Sequence, residues 1–209
     1  MSSDRLSGGP SSGPDLASVT KARGAELLDA LERHRPGARD HADGTASHAF
    51  AIAAELGLER EHSEATREAA RLHEVGQIYV PTAVLTKPPG ERTPEDEALI
   101  GSHPGRGAEL ARGAGVPDDA CEWILSTRER FDGRGPAGLA GERIPIEARI
   151  IRVACAHEAS LAMQPRPNSP RPGGGTFAEL RKASGRELDP RVVEALAAIL
   201  ERAGAVEQS

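Results

Sequence analysis

Five side chains in this sequence are the candidate metal ligands: His41, the adjacent pair His73 and Glu74, His103 and Cys155. Imidazole and carboxylate suit zinc, iron or manganese. Apart from the adjacent pair, each lies on or at the end of a different helical stretch. Helical bundles build metal sites in this way, with facing helices each projecting a ligand inward. Such a metal polarises a phosphoryl oxygen and generates hydroxide from water near neutral pH. In "ARLHEVGQIYVP" the pair sits in an apolar setting, where a buried carboxylate needs a partner to offset its desolvation. Spacing alone leaves the function open. His34, His48 and His62 read as structural or solvent-exposed, although His48 shares a helix face with His41 at i+7. Lys87, Arg128, Arg130 and Arg134 are candidate phosphate contacts, since arginine grips phosphate bidentately; the alternative for the three arginines is a solvated basic run.

Helices have to hold these residues. The 209 residues suit one domain, 38% of them are hydrophobic and only 2% aromatic. A core made mainly of Ala, Leu, Ile and Val favours close helix packing, and the expected fold is an all-α single bundle. Helical periodicity predicts segments over 15–34, 39–56 and 61–75. "GQIYVPTAVLTKPPG" then turns irregular, its prolines opposing helix. Thr93 is the expected N-cap of a fourth helix from Pro94, with a break near Pro104 before it resumes through Leu110. Asp118 or Asp119 opens a fifth, with Cys121, Ile124, Leu125 and Arg128 expected on one face. "DGRGPAGLAGERIP" reads as a Gly-rich loop, and 146–163 as a sixth helix. The chain is expected to recover from a Pro/Gly loop at Asp189, an N-cap followed by Pro190 at the first helical position. Val192, Val193 and Leu196 read as ordinary core there, with a dimerisation face as the rival reading. The domain reading is a disordered arm over 1–20, a helical domain over 21–203 with a flexible loop at about 164–175, and a tail over 204–209.

Net charge is −6, from 26 basic and 32 acidic residues. That opposes a general nucleic-acid or membrane-surface binder. Two cysteines make no disulfide framework, no apolar run is long enough to span a membrane, and the first residues lack a signal-peptide core. The expectation is a cytoplasmic protein with no nucleic-acid or membrane partner.

The order of motifs is similar to a known family. "LHEVGQIYVPTAVLTKP", "SHPGRGAEL", "RERFDGRGPAGL", "GERIPIEARIIRVACAHEA" and "LDPRVVEAL" follow one another as in the HD-GYP family. Those proteins are helical metal-dependent phosphohydrolases of the HD superfamily that cleave the bacterial messenger cyclic di-GMP. The resemblance covers Arg39 to Leu200. It implies that His41 is the first ligand, His73 the histidine of the signature His-Asp pair, and His103 the ligand of the His-Pro motif. Glu74 stands where the family has aspartate, and Cys155 where it has a late metal aspartate. Thr127 and Arg128 replace a His-His pair, and arginine opposes a nearby cation. Gln77 replaces a lysine, and the tyrosine between Gly135 and Pro136 is gone.

The family shares two or more metals around the bridging carboxylate, so this chain resembles a degenerate member. One metal (zinc, iron or manganese) would be held by His41, His73, Glu74 and Cys155, since thiolate is a good zinc ligand. A two-metal clamp on the phosphate would be gone. Alternatively no metal binds, and Arg128 pairs with Glu74 to close the site as a salt-bridged core. The resemblance implies a regulatory module that binds a protein partner, or cyclic di-GMP or another nucleotide, with any signal input arriving from a partner chain or ligand. The enzyme rival is a single-metal phosphohydrolase.

Overall fold

The structure, a computed structural model, describes residues 16–163 and 177–204. The expected all-α bundle forms. Helix α1 spans Leu16–His34, α2 Ala38–Glu55 and α3 Arg60–Leu72. A 3-10 turn over Val75–Tyr79 and the short α4, Thr82–Leu85, lead to α5, Pro94–Gly101, and α6, His103–Gly113. Then come α7, Asp118–Leu125, a 3-10 turn over Ser126–Arg128, α8, Ile146–Met163, α9, Phe177–Ala183, and α10, Pro190–Arg202. The segments expected to be arm and loop lie largely outside the described residues, as does the tail from 205, but α1 already begins at Leu16, inside the span read as arm.

Helix α2 is the central strut because its inward stripe is small. Ala38, Ala42, Ala46, Ala49, Ile52 and Ala53 are buried at helical spacing. Alanines let α3 and α8 approach closely on either side. The larger volume comes mostly from partners: Leu31, Ile124, Ile150, Ile151 and Leu196 are each fully buried. Removing such a side chain from water is worth about 1.5–3 kcal/mol. Val192 and Val193 on α10 are equally buried. They belong to this core and are not presented to a second copy.

Five local expectations are corrected or sharpened. The third helix ends at Leu72 and not at Val75. The chain turns at Glu74, because Gly76 must lie against the backbone of α6. The break before α6 falls at Ser102, and Pro104 occupies the first turn of the new helix. Proline starts helices well, since an N–H there has no intrahelical acceptor anyway. Likewise Pro81 is the N-cap of α4, in a stretch read as wholly irregular. Cys121 and Ile124 are buried, but Leu125 ends α7 facing solvent and Arg128 lies on the following 3-10 turn. The chain also recovers before Asp189, through α9, which anchors on the buried Leu180.

The expected caps of α5 and α10 are present. Thr93 and Asp96 form a reciprocal capping box, and Asp189 accepts from the Arg191 N–H at 2.8 Å. An uncalled-for cap comes from α1. Glu32 accepts from the backbone N–H of Gly37 and Arg39, at 3.0 and 2.9 Å, across a turn that Gly37 makes at φ 88°. Positive φ suits glycine because it has no Cβ to clash.

The loop after α7 has its own anchor. Glu129 is buried, and its carboxylate accepts from the amides of Ala137 at 2.7 Å and Leu139 at 3.0 Å. Glu129→Ala leaves the amides of the exposed Ala137 and the half-buried Leu139 without their acceptor. The expected cost is about 2–4 kcal/mol, from about 1–2 for each donor. Urea unfolding checks it, and a loss under about 1 kcal/mol would mean that solvent already serves the loop.

Candidate metal centre

The end of α3 explains why two adjacent residues can serve one site. On a continuous helix, neighbouring side chains diverge by about 100°. Here His73 caps α3 and Glu74 leaves the helix at φ −107°, ψ 1°. Both side chains then turn toward α2 and α8. His41 comes from α2 and Cys155 from α8. One ligand atom from each of His41, His73, Glu74 and Cys155 lies within 4.8 Å of all the others. The His41 Nε2 atom is 3.6 Å from both the Cys155 sulfur and the Glu74 Oε2.

The hydrogen bonds set the protonation states. His73 Nδ1 donates to the Ala70 carbonyl at 2.7 Å, which leaves Nε2 as a bare lone pair. That Nε2 is buried and has no hydrogen-bond partner. Burial holds the His73 pKa down to about 4, so the ring is neutral. A backbone carbonyl fixing the tautomer of a metal-ligating histidine is a common arrangement. Burial by itself would raise the Glu74 carboxyl. His73 and the Arg35 guanidinium outweigh it and hold Glu74 well below the usual carboxylate range. Burial, helped by Glu74, pushes the Cys155 thiol up to about 12. Without a cation it stays a thiol, and a metal would have to displace its proton.

The donor set of two imidazoles, a carboxylate and a thiol suits a single zinc or iron ion, and the orphaned lone pair on His73 is what such an ion would satisfy. The carboxylate is, however, already partnered. Arg35, on the turn between α1 and α2, pairs with Glu74 Oε2, while Gln77 donates to Oε1 at 2.7 Å. The expected pairing of Arg128 with Glu74 is therefore corrected. Arg35 takes that place because the Gly37 turn carries it over the end of α3.

His103 opens α6 and lines the same cavity, of about 370 Å³, as His73, Glu74 and Cys155, but outside the four-donor set. Its Nδ1 donates to the Ile100 carbonyl at 2.7 Å, so it also presents a lone pair at Nε2. Arg128 lines this cavity. Lys87 does not; it pairs with Asp96 in the α5 capping box. Arg130 is bonded to Asp132 at 2.8 Å and Glu187 at 2.9 Å, and Arg134 is exposed on the Gly-rich loop.

Three residues escaped the sequence reading. Arg35 carried no local signal. Arg152 lines the cavity one turn before Cys155, and its i, i+3 spacing was a usable signal. His157 is buried edge-on to His48, with ring centroids 4.7 Å apart. The remaining histidines are tied to other elements, His34 to the Val80 carbonyl at 2.8 Å and His62 to Glu147.

Comparison with known proteins agrees with this frame. The HD domain family matches residues 26–192. The chain is 36% identical over 190 residues to the cyclic di-GMP phosphodiesterase response regulator RpfG of Xanthomonas campestris, covering 87% of this chain and 50% of that protein. It is 35% identical over 147 residues to a cyclic di-GMP phosphodiesterase of Thermotoga maritima, covering 69% of this chain and 39% of the relative. Among solved structures, an HDG"Y"P protein of Bdellovibrio bacteriovorus superposes with a TM-score of 0.64 at 20% identity, over 89% of this chain and 63% of that one. The HD domain of the phosphodiesterase PgpH of Listeria monocytogenes, in complex with cyclic-di-AMP, gives 0.60 at 19% identity, over 88% and 99%.

The all-α fold is that of a helical HD-type protein, and the chain belongs to the HD domain family. The HD-GYP resemblance read from its motifs stands with that membership. The chain spans about half, or less, of the length of these two curated relatives. No helix of the described residues is long and apolar enough to cross a membrane.

Proposed function

We propose that this domain is a reduced HD site that holds one metal ion and hydrolyses a nucleotide phosphoester, cyclic di-GMP or a related cyclic dinucleotide. The observation that carries the reading is the buried, unpartnered Nε2 of His73 within the four-donor cluster. An orphaned buried acceptor costs about 1–3 kcal/mol, and a cation among these donors would remove that cost. The names of the curated relatives supply the substrate class.

The ion, when bound, supplies Lewis acidity and a water of lowered pKa. The chain's own residues do the rest. His73 offers a neutral nitrogen and His41 a second imidazole, Ala70 holds the His73 tautomer, and Gln77 orients the Glu74 carboxylate. Thr127 and Arg128 offer no ligand for a second ion. Turnover is therefore expected below that of a two-metal site, which stabilises attacking and leaving oxygens together.

A second reading has its own observation. Arg35 already neutralises Glu74, and the Cys155 thiol keeps its proton. On that reading the site is a metal-free core, and the domain is a regulatory module for a protein partner or nucleotide.

Elemental analysis of protein purified without chelator or affinity nickel separates the two. The expected result is about one zinc, iron or manganese per chain, lost in His73→Ala together with turnover of cyclic di-GMP. A folded protein with no metal in either form would overturn the metal reading in favour of the regulatory one.

A further inference from the structure

The cavity beside the donor cluster carries more positive charge than its neighbours neutralise. Arg128 lines it and, among the described residues, makes no ion pair. Arg152 lines it from α8. Its guanidinium reaches the Thr127 carbonyl at 3.4 Å and the Glu187 carboxylate at 3.4 Å. That carboxylate is engaged more closely by Arg130, at 2.9 Å. Glu179 also lines the cavity and pairs with Lys182 at 2.7 Å, so each carboxylate there has a cation partner and, among the described residues, none of them pairs with Arg128. Glu74 lines the cavity as well and is paired with Arg35. Burial works against the Arg152 charge, and the nearby Arg128 adds to that, while Glu187 only partly offsets them. Like charges brought together with little counter-charge attract an anion.

We infer that Arg128 and Arg152 form an anion subsite that takes a phosphate group of the ligand without needing a metal ion. It rests on the phosphoester reading above for the identity of the anion, but not on the presence of metal. The geometry favours phosphate. Two planar forks approach from different elements, the Ser126–Arg128 turn and α8, and a tetrahedral group offers oxygens to both at once. The cavity, at about 370 Å³, has room for such a group above His73 and His103. The position that carries Arg128 also gains a meaning: its fixed charge faces the phosphate directly.

The test uses the full chain, stripped of metal with EDTA, and inorganic phosphate as the probe, followed by calorimetry or by 31P line broadening. Wild type is expected to bind phosphate. Arg128→Gln and Arg152→Gln are each expected to weaken it at least about tenfold, the loss of one charge-assisted contact. Arg152→Lys keeps the charge and loses the fork, and should fall between. Arg134→Gln, on the exposed loop, should match wild type. Arg128 makes no ion pair to lose, so its variant should fold normally. Absence of phosphate binding by the metal-free chain overturns the subsite, as does binding that neither arginine variant weakens. Metal content is a separate measurement, so the subsite can fail while the metal reading stands, or the reverse.

Discussion

Replacing Asp189 by alanine is expected to destabilise the domain by about 3–5 kcal/mol, the usual loss when one partner of a buried ion pair is removed. Two effects coincide at this residue. Its carboxylate caps α10 through the Arg191 N–H. It also pairs with Arg149 on α8, with side-chain exposures of 1% and 9%. The cap alone is worth about 1 kcal/mol. The larger share comes from Arg149, left charged and unpaired among apolar neighbours. Its Nε remains bonded to the Ile144 carbonyl at 2.9 Å, so it cannot swing out freely. For a domain of this size the loss corresponds to a fall in melting temperature of roughly 6–20 °C. Asp189→Asn keeps an acceptor for the cap and removes the charge, so it should lose most of the same stability. If Asp189→Asn melts like wild type, the cap and not the ion pair is what matters.

Gly76→Ala is expected to be nearly as damaging, at about 3 kcal/mol, the upper range for overpacking. A Cβ there would sit 1.9 Å from the His103 carbonyl oxygen and 2.5 Å from the Gly107 nitrogen. Both are backbone atoms, so no change of rotamer relieves the clash. The turn over Val75–Tyr79 would have to lift away from α6. His73 and Glu74 precede that turn and His103 is struck directly, so metal content should fall as well. Gly105→Ala is the matched control. It lies on α6, the helix that Gly76 packs against, its Cβ would meet nothing closer than 3.9 Å, and its φ is ordinary. Alanine in a helix interior gains about 0.5–1 kcal/mol over glycine. The two variants should therefore move the unfolding midpoint in opposite directions. A Gly76→Ala protein with wild-type stability would mean that the α6 junction is plastic.

Much of this protein follows from local sequence. Helical periodicity placed α1, α2 and α8 within a residue or two, because a buried helical stripe must repeat every three to four residues. Thr93 and Asp189 marked their helix starts, because the cap is a bond between a side chain and a backbone amide only two or three residues away. The candidates His41, His73, Glu74 and Cys155 were likewise readable from residue type and motif order. What the tertiary structure decided is who meets whom. It ended α3 at Leu72, so that His73 and Glu74 share one target, because Gly76 had to fit against α6. It partnered Glu74 with Arg35 and not Arg128, and set Arg152 beside Arg128 in place of Arg130 and Arg134. It also docked α9, whose seven residues are too few to be stable on propensity alone. These are contacts between residues far apart in the chain. Periodicity and capping reach only about a helical turn, so pairings across the bundle are settled by packing.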